Sequence, residues 1–246
     1  MKITIAGDSW GCGEWQPLSS WDLNLASEKN TENLKKHFKG TDGIYGVSHT
    51  GLQSYLEKDG HIVTNVSRGA GTNQNVLKDL PRDKQDLIFV FVTDSAREYS
   101  DRNKFWKLDY TFEDYVNRHK KSIKKFIQSL DQLDIGPIYL IGGLSKLSND
   151  LVKGTSISIA VPSMLELVIP GSTQFEFYFE KHIGGDLLYT KGDISSKMSK
   201  TLLNKLYEEH SIWEQYRNHS MLINDHPTKE AHKILFNQLH NYEKNG

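Results

Sequence analysis

A serine near the start of this 246-residue chain and a histidine near its end are the residues best suited to catalysis. Ser9 closes a Gly-Asp-Ser tripeptide directly behind the apolar run Ile3–Ala6, a pattern that predicts a buried strand turning sharply into a helix. A hydroxyl on such a turn faces solvent at the sheet edge, beside unused backbone N–H groups, where it can act as a nucleophile. His226 supplies an imidazole that can accept its proton, so the pair predicts nucleophilic catalysis.

The surroundings of the histidine suggest how it is held. Pro227 is a natural first residue for a closing helix, which predicts that His226 lies on the loop entering that helix, level with the strand ends. Asp225 or Asn224 would then hold the imidazole tautomer. The alternative is a histidine at the start of a helix that simply faces water.

Two polar turns are predicted to face the same crevice. The stretch from Ser67 to Asn73 follows the second predicted strand and opens a helix, so its backbone N–H groups could bind a developing oxyanion, or it could be an ordinary turn. Asn73 is equally well interpreted as the N-cap of that helix. After the third strand, Arg97 could bind an anionic substrate group or pair with Glu98 at the rim.

Apolar runs and helical periodicity alternate along the chain. They predict strands over Lys2–Ala6, His61–Val66, Asp86–Thr93 and Pro137–Ile141, and helices over Tyr45–Lys58, Asn73–Leu80, Phe112–Leu133, Ser196–His219 and Thr228–Tyr242. This order favours an open parallel sheet with helices on both faces. In such sheets the ligand crevice lies where the strand order reverses, and in the flavodoxin-like order that point is beside the first strand, next to Ser9.

Two segments interrupt this alternation within what we predict to be a single domain over residues 1–246. Glu14–Asp42 is predicted to be a long excursion, and Ser145–Ser195 to contain a fifth strand plus an inserted lid or small hairpin. The apolar stretch Val161–Ile169 could belong to an interface or to the lid.

Composition excludes several classes of function. The 30 basic and 31 acidic residues nearly cancel and are scattered, which argues against a nucleic-acid partner. Cys12 is the only cysteine and is predicted to fill the turn. The histidines lack the spacing of a helical zinc site, and His232 is better explained by packing of the last helix. No metal or other cofactor is therefore expected. No membrane span and no signal peptide are predicted, which favours a cytoplasmic protein.

Four short blocks together resemble the SGNH (GDSL) hydrolase family. They are residues 7–9, the turn from Asn65 to Gly71, the polar turn after the third strand, and the late Asp225-His226-Pro227; the tryptophan-rich segment Gly7–Trp15 is similar to bacteriophage-type members. The resemblance implies a flavodoxin-like three-layer α/β/α sandwich of about five parallel strands that hydrolyses an acyl or acetyl ester, of a small molecule or a glycan, without a metal. It implies catalytic roles for Ser9, His226, Asp225 and Gly71, and substrate contacts from Asp8, Trp10, Gly69, Asn73, Thr93, Asp94 and Arg97.

The chain departs from the family pattern at two blocks. Where the third block has an Asn that donates to the oxyanion, this chain has Val92–Ser95, so Thr93 or Ser95 would have to substitute and weak activity is expected. Ile223 stands where the family has the Asp that orients the histidine, which leaves Asn224, Asp225 or a backbone carbonyl for that role.

Two other classes of function compete with an esterase. The same fold could be a binding module without catalysis, with Trp10, Trp15, Trp21 and Trp106 lining a groove for a carbohydrate or nucleotide. A phosphate or nucleotide binder is the weakest alternative, because the glycines around Ser9 match neither common phosphate-loop motif.

Overall fold

The core of the protein is one sheet of five parallel strands. In the computed structural model, the residues described are 1–17, 45–69, 71–93, 111–144, 146–172, 216, 219–223 and 226–245. The strands of this sheet are β1 (Lys2–Ala6), β4 (Ile62–Asn65), β5 (Leu87–Val92), β6 (Ile138–Gly142) and β7 (Ser158–Val161). They lie in the order β4-β1-β5-β6-β7, which is the 2-1-3-4-5 order of a flavodoxin-like fold. The predicted fold class is confirmed.

Helices cover both faces of the sheet because the central strands are apolar on both sides. The helices are α1 (Ser9–Cys12), α2 (Leu52–Lys58), α3 (Asn73–Asp79), α4 (Phe112–Asp131), α5 (Met164–Val168) and α6 (Lys229–Asn245). Every residue of β5 is buried. Phe89 and Phe91 face the layer formed by α2, α5 and α6, whereas Ile88 and Val90 face the layer formed by α3 and α4. These are the three layers predicted for the sandwich.

The strand order reverses between β1 and β5. From β1 the chain crosses to β4 at one edge, then returns past β1 to β5 on its other side. The carboxyl ends of β1 and β5 therefore open at the switch point, where parallel sheets place their ligands. Ser9 follows β1 at this point, as the sequence predicts.

Residues Tyr45–His49 correct one predicted helix. They form strand β3, which pairs in antiparallel orientation with β2 (Glu14–Pro17). The apolar spacing interpreted as one helix from Tyr45 belongs only to α2, which begins at Leu52 after the strand has ended. The predicted excursion Glu14–Asp42 thus begins with strand β2, and its remaining residues lie outside the described residues.

The apolar stretch Val161–Ile169 is part of the core. It contributes the end of β7 and the short helix α5, and Met164 and Leu165 are fully buried among the residues that pack on α6. The expectation that it forms an interface or a lid is therefore wrong. The rest of the predicted insertion, from residue 173, and most of the predicted helix Ser196–His219 lie outside the described residues.

The C-terminal part begins with a small hairpin. Strands β8 (Leu222–Ile223) and β9 (His226–Pro227) pair in antiparallel orientation, and helix α6 follows directly. Within the described residues, no helix combines the length and the apolar content needed to cross a membrane.

Candidate active site

The turn after β1 is shaped by a glycine that no other residue could replace without strain. Gly7 has φ +152°, and a Cβ added there would lie 2.6 Å from the Cβ of Phe91 on β5. The chain can therefore turn directly against the neighbouring strand. Asp8 then caps α1, its carboxylate accepting the Trp10 N–H at 2.9 Å. Ser9 becomes the first helical residue, at the carboxyl end of β1.

His226 reaches this turn through the β8–β9 hairpin. It pairs with Ile223, and the Thr228 N–H donates to the Met221 carbonyl to close the hairpin. Pro227 is therefore part of a strand, and the first residue of α6 is Lys229; the Thr228 side chain accepts the Ala231 N–H. The prediction that Pro227 starts the helix is wrong, because a two-residue pairing intervenes between the histidine and the helix.

Trp15 links the histidine to the serine turn. Its ring lies 5.2 Å from the His226 ring, centroid to centroid, with 31° between the planes. Its indole N–H donates to the Ser9 carbonyl oxygen at 2.8 Å. Strand β9 also contacts α1 directly. Two stretches from opposite ends of the chain therefore meet, although no hydrogen bond joins the Ser9 hydroxyl to the His226 ring within the described part of the chain.

The glycine-containing turn after β4 packs against the serine turn. The Asn65 side chain donates to the Gly11 carbonyl and accepts the Ser67 N–H, each at 3.0 Å. An added Cβ on Gly71 would lie 2.9 Å from the Gly7 carbonyl oxygen. The two turns are thus in backbone contact, which fits the predicted placement of Gly71. Its N–H donates to the Arg68 carbonyl at 3.0 Å, so an oxyanion would have to share this donor.

Asn73 fixes the end of β5 rather than capping its helix. Only 3% of it is exposed, and its side chain donates to the Thr93 carbonyl at 2.9 Å and accepts the Thr93 N–H at 3.1 Å. Thr72 caps α3 instead, in a capping box with Asn75. The hydroxyl of Thr93 is buried and has no hydrogen-bond partner among the described residues.

Buried titratable side chains near the turn are held neutral. Burial, helped by the Asp8 carboxylate, raises the pKa of the Cys12 thiol, which therefore stays protonated and is a poor nucleophile. Burial lowers the pKa of His232 to about 3, against an opposing effect of the Gly13 backbone and with a smaller contribution from His49. His232 is fully buried, so its predicted role in packing α6 is confirmed.

The remaining predicted residues divide into three groups. Trp10 is buried in the apolar cluster on one face of the sheet, and the Asp8 carboxylate is engaged as a helix cap. Gly69 is half-buried in the turn after β4. Asp94, Arg97, Asn224 and Asp225 lie outside the described residues. Their roles in substrate binding and catalysis stay predictions. Among the described residues, no group of three His, Cys, Asp or Glu side chains could hold a metal.

Sequence reasoning missed the main contact of the site. The sequence suggests Trp15 as a residue lining a groove, because no local pattern relates it to a histidine at the far end of the chain. The sequence places Asn65 and Asn73 in the turn after the second strand. In the structure the Asn65 carboxamide ties the end of β4 to α1, and the Asn73 carboxamide ties the start of α3 to the end of β5. An asparagine just after a strand or opening a helix is the signal that could have suggested such a clamp.

Comparison with known proteins gives distant similarity only. No protein-family model matches the chain, and no curated protein matches it. One similar solved structure is the psychrotrophic esterase EstA from Pseudoalteromonas sp., inhibited by monoethylphosphonate, at 10% identity and TM-score 0.37, covering 99% of this chain and 97% of that chain. Another is LAE5, an alpha/beta hydrolase enzyme from the metagenome of Lake Arreo, Spain, at 12% identity and TM-score 0.39, covering 97% and 92%. These TM-scores are too low to bear on activity.

Proposed function

We propose that this protein is a serine ester hydrolase of the SGNH (GDSL) type that acts on an acyl or acetyl ester of a small molecule or a glycan. The observation that carries the proposal is that α1, which begins with Ser9 at the switch point of a flavodoxin-like sheet, contacts β9, which begins with His226, and that Trp15 contacts both residues. A nucleophile and a base brought together at the ligand-binding edge of such a sheet meet the first requirement of acyl transfer.

The proposed reaction proceeds through an acyl-enzyme. The Ser9 oxygen attacks the ester carbonyl carbon while His226 accepts the hydroxyl proton. The tetrahedral intermediate collapses, the bond to the alcohol breaks, and the alcohol leaves with the proton from His226. Water then attacks the acyl-serine, giving up a proton to His226, and the carboxylic acid is released as Ser9 regains its proton. The cycle uses no cofactor.

The oxyanion of the intermediate needs hydrogen-bond donors at the switch point. We assign this role to the Ser9 N–H, to the Gly71 N–H shared with the Arg68 carbonyl, and to the Thr93 hydroxyl. The Thr93 hydroxyl at the end of β5 is buried and has no hydrogen-bond partner among the residues that the structure describes, which supports the last assignment. A hydroxyl in place of a carboxamide, and one N–H that is shared, are weaker donors, so the expected rate is low; a lost donor typically costs about 10²–10³-fold.

A binding protein without turnover is the second candidate. Polar groups predicted for the site are occupied by internal hydrogen bonds: the Asn73 carboxamide by Thr93, the Asp8 carboxylate by the Trp10 N–H, and the Gly71 N–H by Arg68. Ser9 itself is only 4% exposed. This favours a ligand, such as a carbohydrate, that is held above the turn and not attacked.

Labelling by a fluorophosphonate probe, together with hydrolysis of p-nitrophenyl acetate, tests the proposal. We expect intact-mass analysis to show one phosphonyl group on the wild-type protein and none on Ser9→Ala, and hydrolysis to fall by roughly 10³-fold or more in Ser9→Ala and His226→Gln. Cys12→Ala is the matched control and should label like wild type, since the thiol is buried and protonated. Equal labelling and hydrolysis in wild type and Ser9→Ala would exclude the esterase.

A further inference from the structure

Trp15 occupies an unusual position between the two proposed catalytic segments. It lies on β2, only 4% exposed, and neither its burial nor its strand pairing with Val47 requires it to touch both segments. Yet one edge of its ring reaches the Ser9 carbonyl and one face lies against His226. A single rigid side chain therefore spans the distance between the nucleophile turn and the base.

The hydrogen bond to Ser9 fixes the plane of the indole. At 2.8 Å between the indole Nε1 and the Ser9 carbonyl oxygen, it is a short and buried hydrogen bond. An indole anchored at its edge cannot rotate away from the turn. The position of Ser9 therefore sets the direction in which the face of the Trp15 indole points.

The strand that carries His226 is short. Strand β9 has two residues, and its ladder with β8 also has two. An imidazole on so short a strand can rotate about its side-chain bonds unless something packs against the ring. The centroid distance of 5.2 Å and the 31° tilt lie in the range of favourable offset aromatic pairs.

We propose that Trp15 is a positioning residue for His226, holding the imidazole at a fixed distance from the Ser9 hydroxyl; this inference rests on the proposed esterase function. The indole N–H ties the ring to the nucleophile turn, and the ring face limits the rotation of the imidazole. Trp15 touches no reacting atom. Its effect is on the fraction of molecules in which base and nucleophile are aligned, so it acts on kcat and not on substrate affinity.

The segment that presents Trp15 is itself clamped on both sides. The Glu14 carboxylate accepts the Lys229 N–H at 2.7 Å and the Ser48 hydroxyl at 2.9 Å, which ties β2 to the start of α6 and to β3. Gly13 packs directly against the His49 carbonyl, with no room for a side chain. The tryptophan is therefore presented from a hairpin fixed to the same helix that follows His226.

The test compares Trp15→Phe and Trp15→Leu with Phe126→Leu. Phe126→Leu is the matched control, since it removes a buried ring from α4 on the opposite face of the sheet. The readouts are the rate of fluorophosphonate labelling at Ser9, kcat and KM for p-nitrophenyl acetate, and the NMR shifts of the His226 ring protons, assigned by their loss in His226→Gln.

We expect Trp15→Leu to lower the labelling rate and kcat by about 10–100-fold with KM within about twofold of wild type. Trp15→Phe, which keeps an aromatic face but loses the N–H, should recover to within about tenfold of wild type. The His226 ring protons should lose the ring-current shift in Trp15→Leu and keep part of it in Trp15→Phe. Phe126→Leu should leave labelling and His226 shifts unchanged.

Three results would overturn the inference alone, and the first two are kinetic: a kcat in Trp15→Leu equal to that of Phe126→Leu, or a loss confined to KM. His226 shifts that are unchanged in Trp15→Leu would overturn it as well. Absence of labelling at Ser9 in folded wild-type protein would instead overturn the proposed function, and the inference with it.

Discussion

The turn that carries Ser9 and the hairpin that carries His226 are held by different kinds of interaction. Ser9 follows β1, which has a parallel neighbour on each side, and its turn is packed against Phe91 and clamped through Asn65. His226 lies on a two-residue strand at the surface of this core, and its ring packs against Trp15. The proposed nucleophile is therefore part of the core, and the proposed base lies on a hairpin packed against it.

Because of this difference, substitutions near Ser9 and substitutions in the His226 hairpin should lower the proposed activity in different ways. A substitution near Ser9 disturbs the packing of β1 against β5, so it should lower stability and activity together. A substitution that loosens the β8–β9 hairpin leaves the packing of the central sheet intact, so activity should fall more than stability. Measuring both quantities for each variant therefore tests the comparison.

The largest effect is expected from Gly7→Ala. The new methyl group would overlap the Cβ of Phe91, and φ +152° is strained for alanine. We expect the free energy of unfolding, measured by urea denaturation, to fall by roughly 3 kcal/mol, with loss of Ser9 labelling. Gly60→Ala is the control, since Gly60 has φ +85° but nothing within 4 Å of an added Cβ; about 1 kcal/mol is expected there. If Gly7→Ala and Gly60→Ala lowered the free energy of unfolding equally, the overlap with Phe91 would add no cost, and β1 and β5 could move apart without loss of stability.

The sequence predicted the Ser9 half of the molecule well, for a physical reason. Strands β1 and β5 are nearly continuous apolar runs, which only a sheet covered on both faces explains, and Gly7 marks the turn that follows. Helix α4 has its apolar residues at three-to-four spacing, so its prediction over Phe112–Leu133 agrees with the observed end at Asp131 within two residues. These features depend on local periodicity and on burial, which the sequence displays directly.

The His226 half could not be predicted to the same extent. Strands β2, β3, β8 and β9 are too short for a period of two to be recognised. The sequence pattern therefore predicts Tyr45–His49 as part of the helix that follows it. The pairing of Trp15 with His226 depends on the tertiary packing of a hairpin against α6, which leaves no trace in local spacing. The roles of Asp225, Asp94 and Arg97 stay predictions.

A smaller effect, per pH unit and per histidine, is expected from the titration of two buried histidines, one in each half of the molecule. Burial lowers the pKa of His232 to about 3; burial, followed by Lys120, lowers that of His119 to about 4. The unfolded chain, with histidine pKa near 6.5, therefore binds more protons than the folded chain below pH 6.5. Stability should be fully present above that pH and fall as the pH drops, by at most about 1.4 kcal/mol per pH unit for each histidine.

Urea denaturation between pH 6.5 and 4.5 measures this slope. The carboxylates with lowered pKa values, such as Asp131 bonded to Ser156, titrate below that window. His232→Phe and His119→Phe should each reduce the slope, whatever they do to stability at neutral pH. Ser9 labelling should weaken in His232→Phe only, because that ring packs against Gly51 beside the hairpin that presents Trp15. An unchanged slope in both variants would show that neither histidine is kept neutral by folding.

The smallest change in stability is expected from Glu14→Gln. This variant gives the sharpest test of the difference between the two halves, because activity should fall while stability hardly changes. Glutamine keeps one acceptor oxygen but removes the negative charge that bonds the Lys229 N–H at the start of α6. Charges at a helix N-terminus contribute about 0.3–1 kcal/mol, so the free energy of unfolding should fall by no more than about that amount. The same carboxylate fixes the hairpin that presents Trp15, so kcat should fall several-fold.

Glu230→Gln provides the matched control for that variant. Glu230 lies in the first turn of the same helix, is exposed, and forms a long ion pair with Lys233, at 3.8 Å. It interacts with the same helix dipole, so its replacement should cost a similar small amount of stability and leave kcat unchanged. If the two variants lowered kcat equally, α6 alone would position His226, and the hairpin carrying Trp15 would have no part in it.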